Sequence, residues 1–139
     1  MIVGLDHIGI AVSDMEAAVE RFRQVLGIGP AHRERSDREM VEEAILPVGD
    51  GSIQLLAPTS PSSSVARFLD RRGPALHHVG LRVDDLSATL VAAEAGAATV
   101  LQPRVRTGSR RSRIAFLDPR GLAGVLVEMV QPDAVRGSR

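Results

Sequence analysis

The chain states one decapeptide twice. Residues 6–15 read Asp-His-Ile-Gly-Ile-Ala-Val-Ser-Asp-Met, and residues 77–86 read His-His-Val-Gly-Leu-Arg-Val-Asp-Asp-Leu. His7 aligns with His78, Gly9 with Gly80, Val12 with Val83 and Asp14 with Asp85. A second echo trails each copy: Gln54 follows His7 after Gly51-Ser-Ile, and Glu128 follows His78 after Gly124-Val-Leu-Val. A duplicated half-module that twice delivers a histidine and then a Gln or Glu constrains the fold to two equivalent units. It also points to four convergent ligands around one metal ion.

The local pattern gives each half the same order of elements. Residues 5–12 alternate, with His7, Gly9 and Ala11 on one face and Ile8, Ile10 and Val12 on the other, which is a strand. Ser13-Asp-Met-Glu16 reads as a capping box that opens a helix. Val19, Phe22, Val25 and Leu26 form its expected buried stripe, and Gly27 ends it. Strands are expected near 31–36, 40–47 and 52–57, with Asp50-Gly51 as a hairpin signal.

Pro58-Thr-Ser-Pro-Ser-Ser-Ser64 is a turn-rich linker, and residues 64–72 suit a short helix with Val65, Phe68 and Leu69 inward. Residues 76–83 repeat the first strand, Asp85 caps a helix over 86–95, and strands follow near 98–105, 112–117 and 123–130. The expected class is α+β: a βαβββ module over 1–57, a linker with a short helix over 58–74, a second βαβββ module over 75–131, and a poorly ordered tail from Gln131 to Arg139.

Composition narrows the chemistry. The 139 residues contain no cysteine, so a disulfide framework, a thiolate metal site and a Cys nucleophile are excluded. Formal net charge is zero, which argues against nucleic acid as a partner. No basic leader and no long apolar run occurs, so a cytoplasmic protein without membrane attachment is expected. All basic residues are arginine, the better fork for carboxylates and phosphates.

Taken singly, a histidine on a strand is ordinarily structural. The repeat changes that, because His7 and His78 occupy the same place in duplicated strands. Gln54 and Glu128 each interrupt an apolar strand, and a buried carboxylate needs a cation or a donor. Two neutral imidazoles with oxygen ligands suit Co, Mn, Ni, Fe or Zn. His77 aligns with Asp6 and points to the opposite face from His78, and His32 has no repeat partner and reads as surface. Glu42 and Glu43 break an apolar strand, and alternation lets only one of them face the site. Gly108-Ser-Arg-Arg-Ser-Arg113 fits either a loop gripping phosphate or carboxylate or a solvated hairpin turn.

Asp6-His-Ile-Gly-Ile-Ala-Val-Ser-Asp14 resembles the opening strand of the vicinal-oxygen-chelate superfamily, which includes glyoxalases, bleomycin-resistance proteins and dioxygenases. Within it, residues 4–131 are most similar to the methylmalonyl-CoA epimerases. Ile53-Gln-Leu-Leu-Ala-Pro-Thr-Ser-Pro-Ser-Ser-Ser-Val-Ala-Arg-Phe-Leu69, running on to Leu76-His-His-Val-Gly80, resembles their linker. Ser112-Arg-Ile-Ala-Phe-Leu-Asp-Pro-Arg120 resembles their hairpin and Gly124-Val-Leu-Val-Glu-Met-Val130 their closing strand.

The resemblance implies a cupped mixed sheet around a divalent ion held by His7, Gln54, His78 and Glu128. It makes Glu43 a catalytic base and Glu128 a ligand and second base, in a homodimer acting on an acyl-thioester. The ion would stabilise the enolate formed on α-proton abstraction, with one carboxylate on each face of the substrate. Three departures lie near the expected substrate mouth: Glu39-Met40-Val41 in place of Gln-Gly-Val, Leu117-Asp-Pro-Arg120 in place of Leu-His-Pro-Lys, and a loop, Ser109-Arg-Arg-Ser112, that is poorer in glycine. A glyoxalase-I-like isomerase is the nearest alternative. A non-catalytic small-molecule-binding member, such as those conferring antibiotic resistance, comes next, and a ring-cleaving dioxygenase fits less well.

Overall fold

A computed structural model describes residues 1–134. The elements run β1 (Ile2–Ala11), α1 (Met15–Leu26), β2 (His32–Ser36), β3 (Val41–Val48), β4 (Gly51–Pro58), α2 (Ser64–Arg72), β5 (Ala75–Val83), α3 (Leu86–Ala95), β6 (Arg106–Thr107), β7 (Arg113–Leu117) and β8 (Val127–Gln131). This is an α+β fold of two βαβββ modules with mixed strand pairing. The chain divides into two compact units, His7–His77 and a second made of Met1–Asp6 with the chain from His78 onward.

In the unit His7–His77 the strand order is β2-β3-β4-β1. β1 runs parallel to β4, and β2/β3 and β3/β4 are antiparallel. One sheet face packs under α1: Val12, Met15, Ala44, Leu46, Leu55 and Ala57 form a core backed by Val19 and Phe22. At one end of the other face, α2 sets Val65 and Phe68 on Ala11, Val41 and Leu56. The cap of α1 is Asp14, which accepts from the Ala17 N–H, so the expected Ser13 capping box does not form. A carboxylate one residue later already satisfies an orphan helix donor. Gly27 ends α1 in the left-handed region at φ 68°. The expected stripe is shorter than its pattern, because Val25 and Leu26 are more than half exposed; they lie in the last turn, beyond the residues that meet the sheet.

In the second unit, strands β5, β8, β7 and β6 are neighbours in that order. β5 runs parallel to β8, and the remaining pairs are antiparallel. α3, capped by Asp85 on the Ala88 N–H, packs Leu86 and Leu90 on Val83, Val100, Ala115, Leu117 and Met129. The strand expected over 98–105 does not form. Residues near 99–101 make only a bridge from Val100 to Leu117 and flanking backbone bonds. Pro103 offers no N–H to extend a ladder, and β6 shrinks to Arg106–Thr107. The tail also begins later than its sequence implies: Gln131 closes β8 and accepts from the Leu86 N–H at 2.8 Å. Residues 135–139 lie outside the described part of the chain.

Leu55 and Leu90 are fully buried, one in each core. Leu55→Ala and Leu90→Ala should each lower stability by about 2–5 kcal/mol through lost transfer energy and the cavity left behind. Val91, on the open side of α3 and 64 % exposed, should lose under about 0.5 kcal/mol on the same truncation. Urea unfolding of the three variants measures this.

Candidate metal and acid–base site

The two units build the same local arrangement. In the first, Gly9 pairs in register with Gln54, and His7 stands two residues before Gly9 on the same strand face. In the second, Gly80 pairs in register with Glu128, and His78 stands two residues before Gly80. Each unit therefore sets one imidazole on a strand and one side-chain oxygen on its parallel neighbour, offset by the same two residues. All four side chains are buried. A glycine, with no side chain of its own, stands in register with each oxygen donor.

His78 Nε2 and Glu128 Oε2 are 2.9 Å apart. That is hydrogen-bond distance, and the same two side chains, a neutral imidazole and a carboxylate, would also suit a divalent ion as ligands. Phe116, in register with Glu128 on β7, presents its ring edge-on to His78 at a centroid distance of 5.9 Å. Arg106 sits over the Phe116 ring at 5.2 Å, with its guanidinium bonded to the Gln102 carbonyl at 2.9 Å.

Register decides what alternation left open in β3. Glu43 pairs with Leu56, so it lies on the face that carries Gln54. Glu42 pairs with Ala57, on the face under α1. There Arg33 of β2 is held charged, first by its hydrogen bond to Glu16 of α1 and further by nearby Glu42. Glu34 of β2 pairs in register with Glu43, and His32 Nε2 lies 2.5 Å from Glu34 Oε2. His32 is thus part of an ionisable pair beside Glu43, and the reading of it as ordinary surface misses that neighbour. His77 packs edge-on against Phe68 of α2 at 4.8 Å.

Phe116, Arg106 and Glu34 are the neighbours that sequence reasoning missed. For Phe116 a signal existed: it is an aromatic in a strand expected to pair with the one bearing Glu128. For the other two, only the pairing register places them.

Two of the three departures from the epimerase pattern fall on unusual backbone. Met40 has φ 56°, Arg110 φ 55° and Arg111 φ 61°, a region that costs a residue with a Cβ and suits glycine.

Comparison with known proteins identifies the family. The family model described as the glyoxalase/bleomycin resistance protein/dioxygenase superfamily matches residues 6–116. An ethylmalonyl-CoA/methylmalonyl-CoA epimerase of Cereibacter sphaeroides is 33 % identical over 134 residues, covering 94 % of this chain and 99 % of that protein. The crystal structure of methylmalonyl-CoA epimerase from Mycobacterium tuberculosis superposes with a TM-score of 0.92 at 37 % identity, covering 99 % of this chain and 93 % of that one. A Streptomyces coelicolor methylmalonyl-CoA epimerase variant in complex with 2-nitronate-propionyl-CoA gives 0.91 at 34 % identity, covering 96 % of this chain and all of the other.

Proposed function

Because the chain belongs to the glyoxalase/bleomycin resistance protein/dioxygenase superfamily, we propose that it is a divalent-metal-dependent epimerase of methylmalonyl-CoA or a closely related acyl-thioester. The observation that carries this reading is the repeated register, which gives each unit one buried imidazole and one buried oxygen donor at the same offset. His7, Gln54, His78 and Glu128 are assigned as the ligands of one ion. Two nitrogens and two oxygens suit Co, Mn, Ni, Fe or Zn. The ion, when bound, supplies Lewis-acid stabilisation to the enolate that develops beside a thioester carbonyl.

The chain's own carboxylates then divide the proton work. Glu43 Oε takes the α-proton from one face of the substrate carbon, and Glu128 Oε serves the opposite face. Reversal of roles converts the other epimer, so each carboxylate starts one direction as a base and finishes the other as an acid. Support for Glu43 comes from its place on the Gln54-bearing face, and support for the substrate class from the epimerase relatives.

Elemental analysis should find one ion per chain. Incubation of a single methylmalonyl-CoA epimer should give both epimers, and chelation should abolish the conversion. A protein that binds metal yet returns the single epimer unchanged would transfer the reading to glyoxalase-like or binding chemistry.

No helix among the described residues is long and apolar enough to cross a membrane. We place the enzyme in the cytoplasm as a homodimer. Val3 and Leu5, each more than half exposed and on one face of β1, are the apolar surface that supports self-association. Light scattering should give twice the chain mass, and Leu5→Glu should shift it toward the monomer. An unchanged mass in that variant would take β1 out of the interface.

A further inference from the structure

We infer that the turn over residues 106–112 is a phosphate-binding subsite for the carrier portion of the substrate, with Arg106 and Arg111 as its principal cations. The inference rests on the thioester reading above and names what that reading leaves open, the part of the substrate that lies beyond the acyl group.

Charge is the first observation. Between Glu94 and Asp118 the chain has no carboxylate and five arginines, in a protein whose formal charge is zero. Most arginines elsewhere that carry side-chain contacts are paired: Arg23 with Glu20, Arg33 with Glu16, Arg35 with Asp37, Arg82 with Asp6 and Arg120 with Asp118. Just before the turn, Arg104 pairs with Glu94. Arg111 is exposed and pairs with no carboxylate among the described residues.

Placement is the second. Arg106 lies over Phe116, and that ring meets His78 in a T-shaped contact. The strand face bearing His78 and Glu128 thus runs through one aromatic ring to a guanidinium and on to the turn. Arg113 is a useful contrast. It is exposed too, but alternation along β7 sets it opposite Phe116, on the face that carries Ala115 and Leu117 toward α3.

Backbone is the third. Arg110 and Arg111 are consecutive residues in the left-handed region, where a side chain is strained and glycine is not. The turn is firmly built. The Gly108 N–H donates to the Ser112 carbonyl at 2.9 Å, and Ser112 donates from both N and Oγ to the Ser109 carbonyl, at 3.1 and 2.8 Å. A Cβ on Gly108 would come within 2.7 Å of Ile114 Cγ2, so the closure leaves no slack. Arginine at two strained positions of a rigid turn costs stability that glycine would not. The exposed guanidinium of Arg111 is a planar fork that matches phosphate oxygens.

Arg111→Gly is the test, with Arg113→Ser as control. Relief of the left-handed strain should raise the Tm of Arg111→Gly by about 2 °C. The same variant should raise KM for methylmalonyl-CoA about 10-fold, the scale of one lost charge-assisted contact. It should leave KM for methylmalonyl-pantetheine, which lacks the nucleotide phosphates, where it was. Arg113→Ser should leave both values unchanged.

Equal shifts for the two thioesters, or none, would overturn the subsite. If the wild type turns over neither thioester, the epimerase reading fails on its own, and calorimetric titration with adenosine 3′,5′-bisphosphate still decides the subsite. Salt-sensitive binding lost in Arg111→Gly supports it, and identical binding in both proteins refutes it.

Discussion

Glu43→Gln is expected to lower epimerisation by about 10²-fold or more while leaving metal content unchanged, the usual scale for a positioned acid or base. Glutamine keeps the size of the side chain and one acceptor oxygen, puts an NH2 donor in place of the other, and removes the charge and with it the ability to take a proton. Glu43 lies opposite Leu56, on the face of β3 and β4 that carries Gln54, and it is not among the assigned ligands. In the proposed division of proton work each carboxylate serves one face of the substrate, so proton exchange from one epimer should suffer more than from the other. Glu42→Gln should change little, since Glu42 stands opposite Ala57 on the face under α1. Steady-state rates from both epimers, with metal analysis on the same samples, measure this. Full activity in both variants would remove Glu43 from the mechanism.

Glu128→Ala should be more severe, with loss of the ion and of turnover together. Glu128 is assigned both a ligand's and a base's role, and several kcal/mol of Lewis-acid stabilisation correspond to about 10³-fold or more in rate. The substitution should also reach the fold. His78 is buried with its Nε2 2.9 Å from the carboxylate, and a buried donor stripped of its acceptor costs about 1–3 kcal/mol. Glu128→Gln separates the effects. It retains an oxygen acceptor for His78, so stability should stay near that of the parent protein, while a neutral amide cannot take the α-proton. Denaturant unfolding, metal content and turnover of the two variants distinguish these contributions. A Glu128→Ala protein that keeps both its ion and its rate would remove Glu128 from the ligand set.

Much of this was legible in the chain because duplication writes equivalence directly. A decapeptide repeated with its histidine and glycine in place marks β1 and β5 as counterparts. The matched Gln and Glu offsets marked β4 and β8 as the strands beside them. Their difference, 47 residues against 50, is absorbed in the connecting segments, because Gly9/Gln54 and Gly80/Glu128 keep one register. Local chemistry also set the helix ends at Gly27, Asp85 and Gly96.

What the chain withheld depends on partners distant in sequence. The choice between Glu42 and Glu43 needed the β3/β4 register, since alternation permits either. Val25 and Leu26 look like core until the helix is seen to outrun its sheet. Residues 98–105 alternate adequately for a strand, yet Pro103 breaks the ladder, and the bridge to β7 stops after Val100. The contact of Phe116 with His78, and of Arg106 with Phe116, arises only once β6, β7 and β8 are paired. Left-handed backbone at Met40, Arg110 and Arg111 is hidden for the opposite reason: propensity assigns such positions to glycine, and this chain does not use it there.

The most direct test of the central assignment is deuterium exchange at the α-carbon of each methylmalonyl-CoA epimer, followed by mass spectrometry in heavy water with cobalt or manganese supplied. The account predicts one solvent deuteron in every inverted molecule, exchange from both epimers in the metal-loaded protein and none after chelation. A folded, metal-loaded protein that leaves the α-proton of both epimers in place would contradict it.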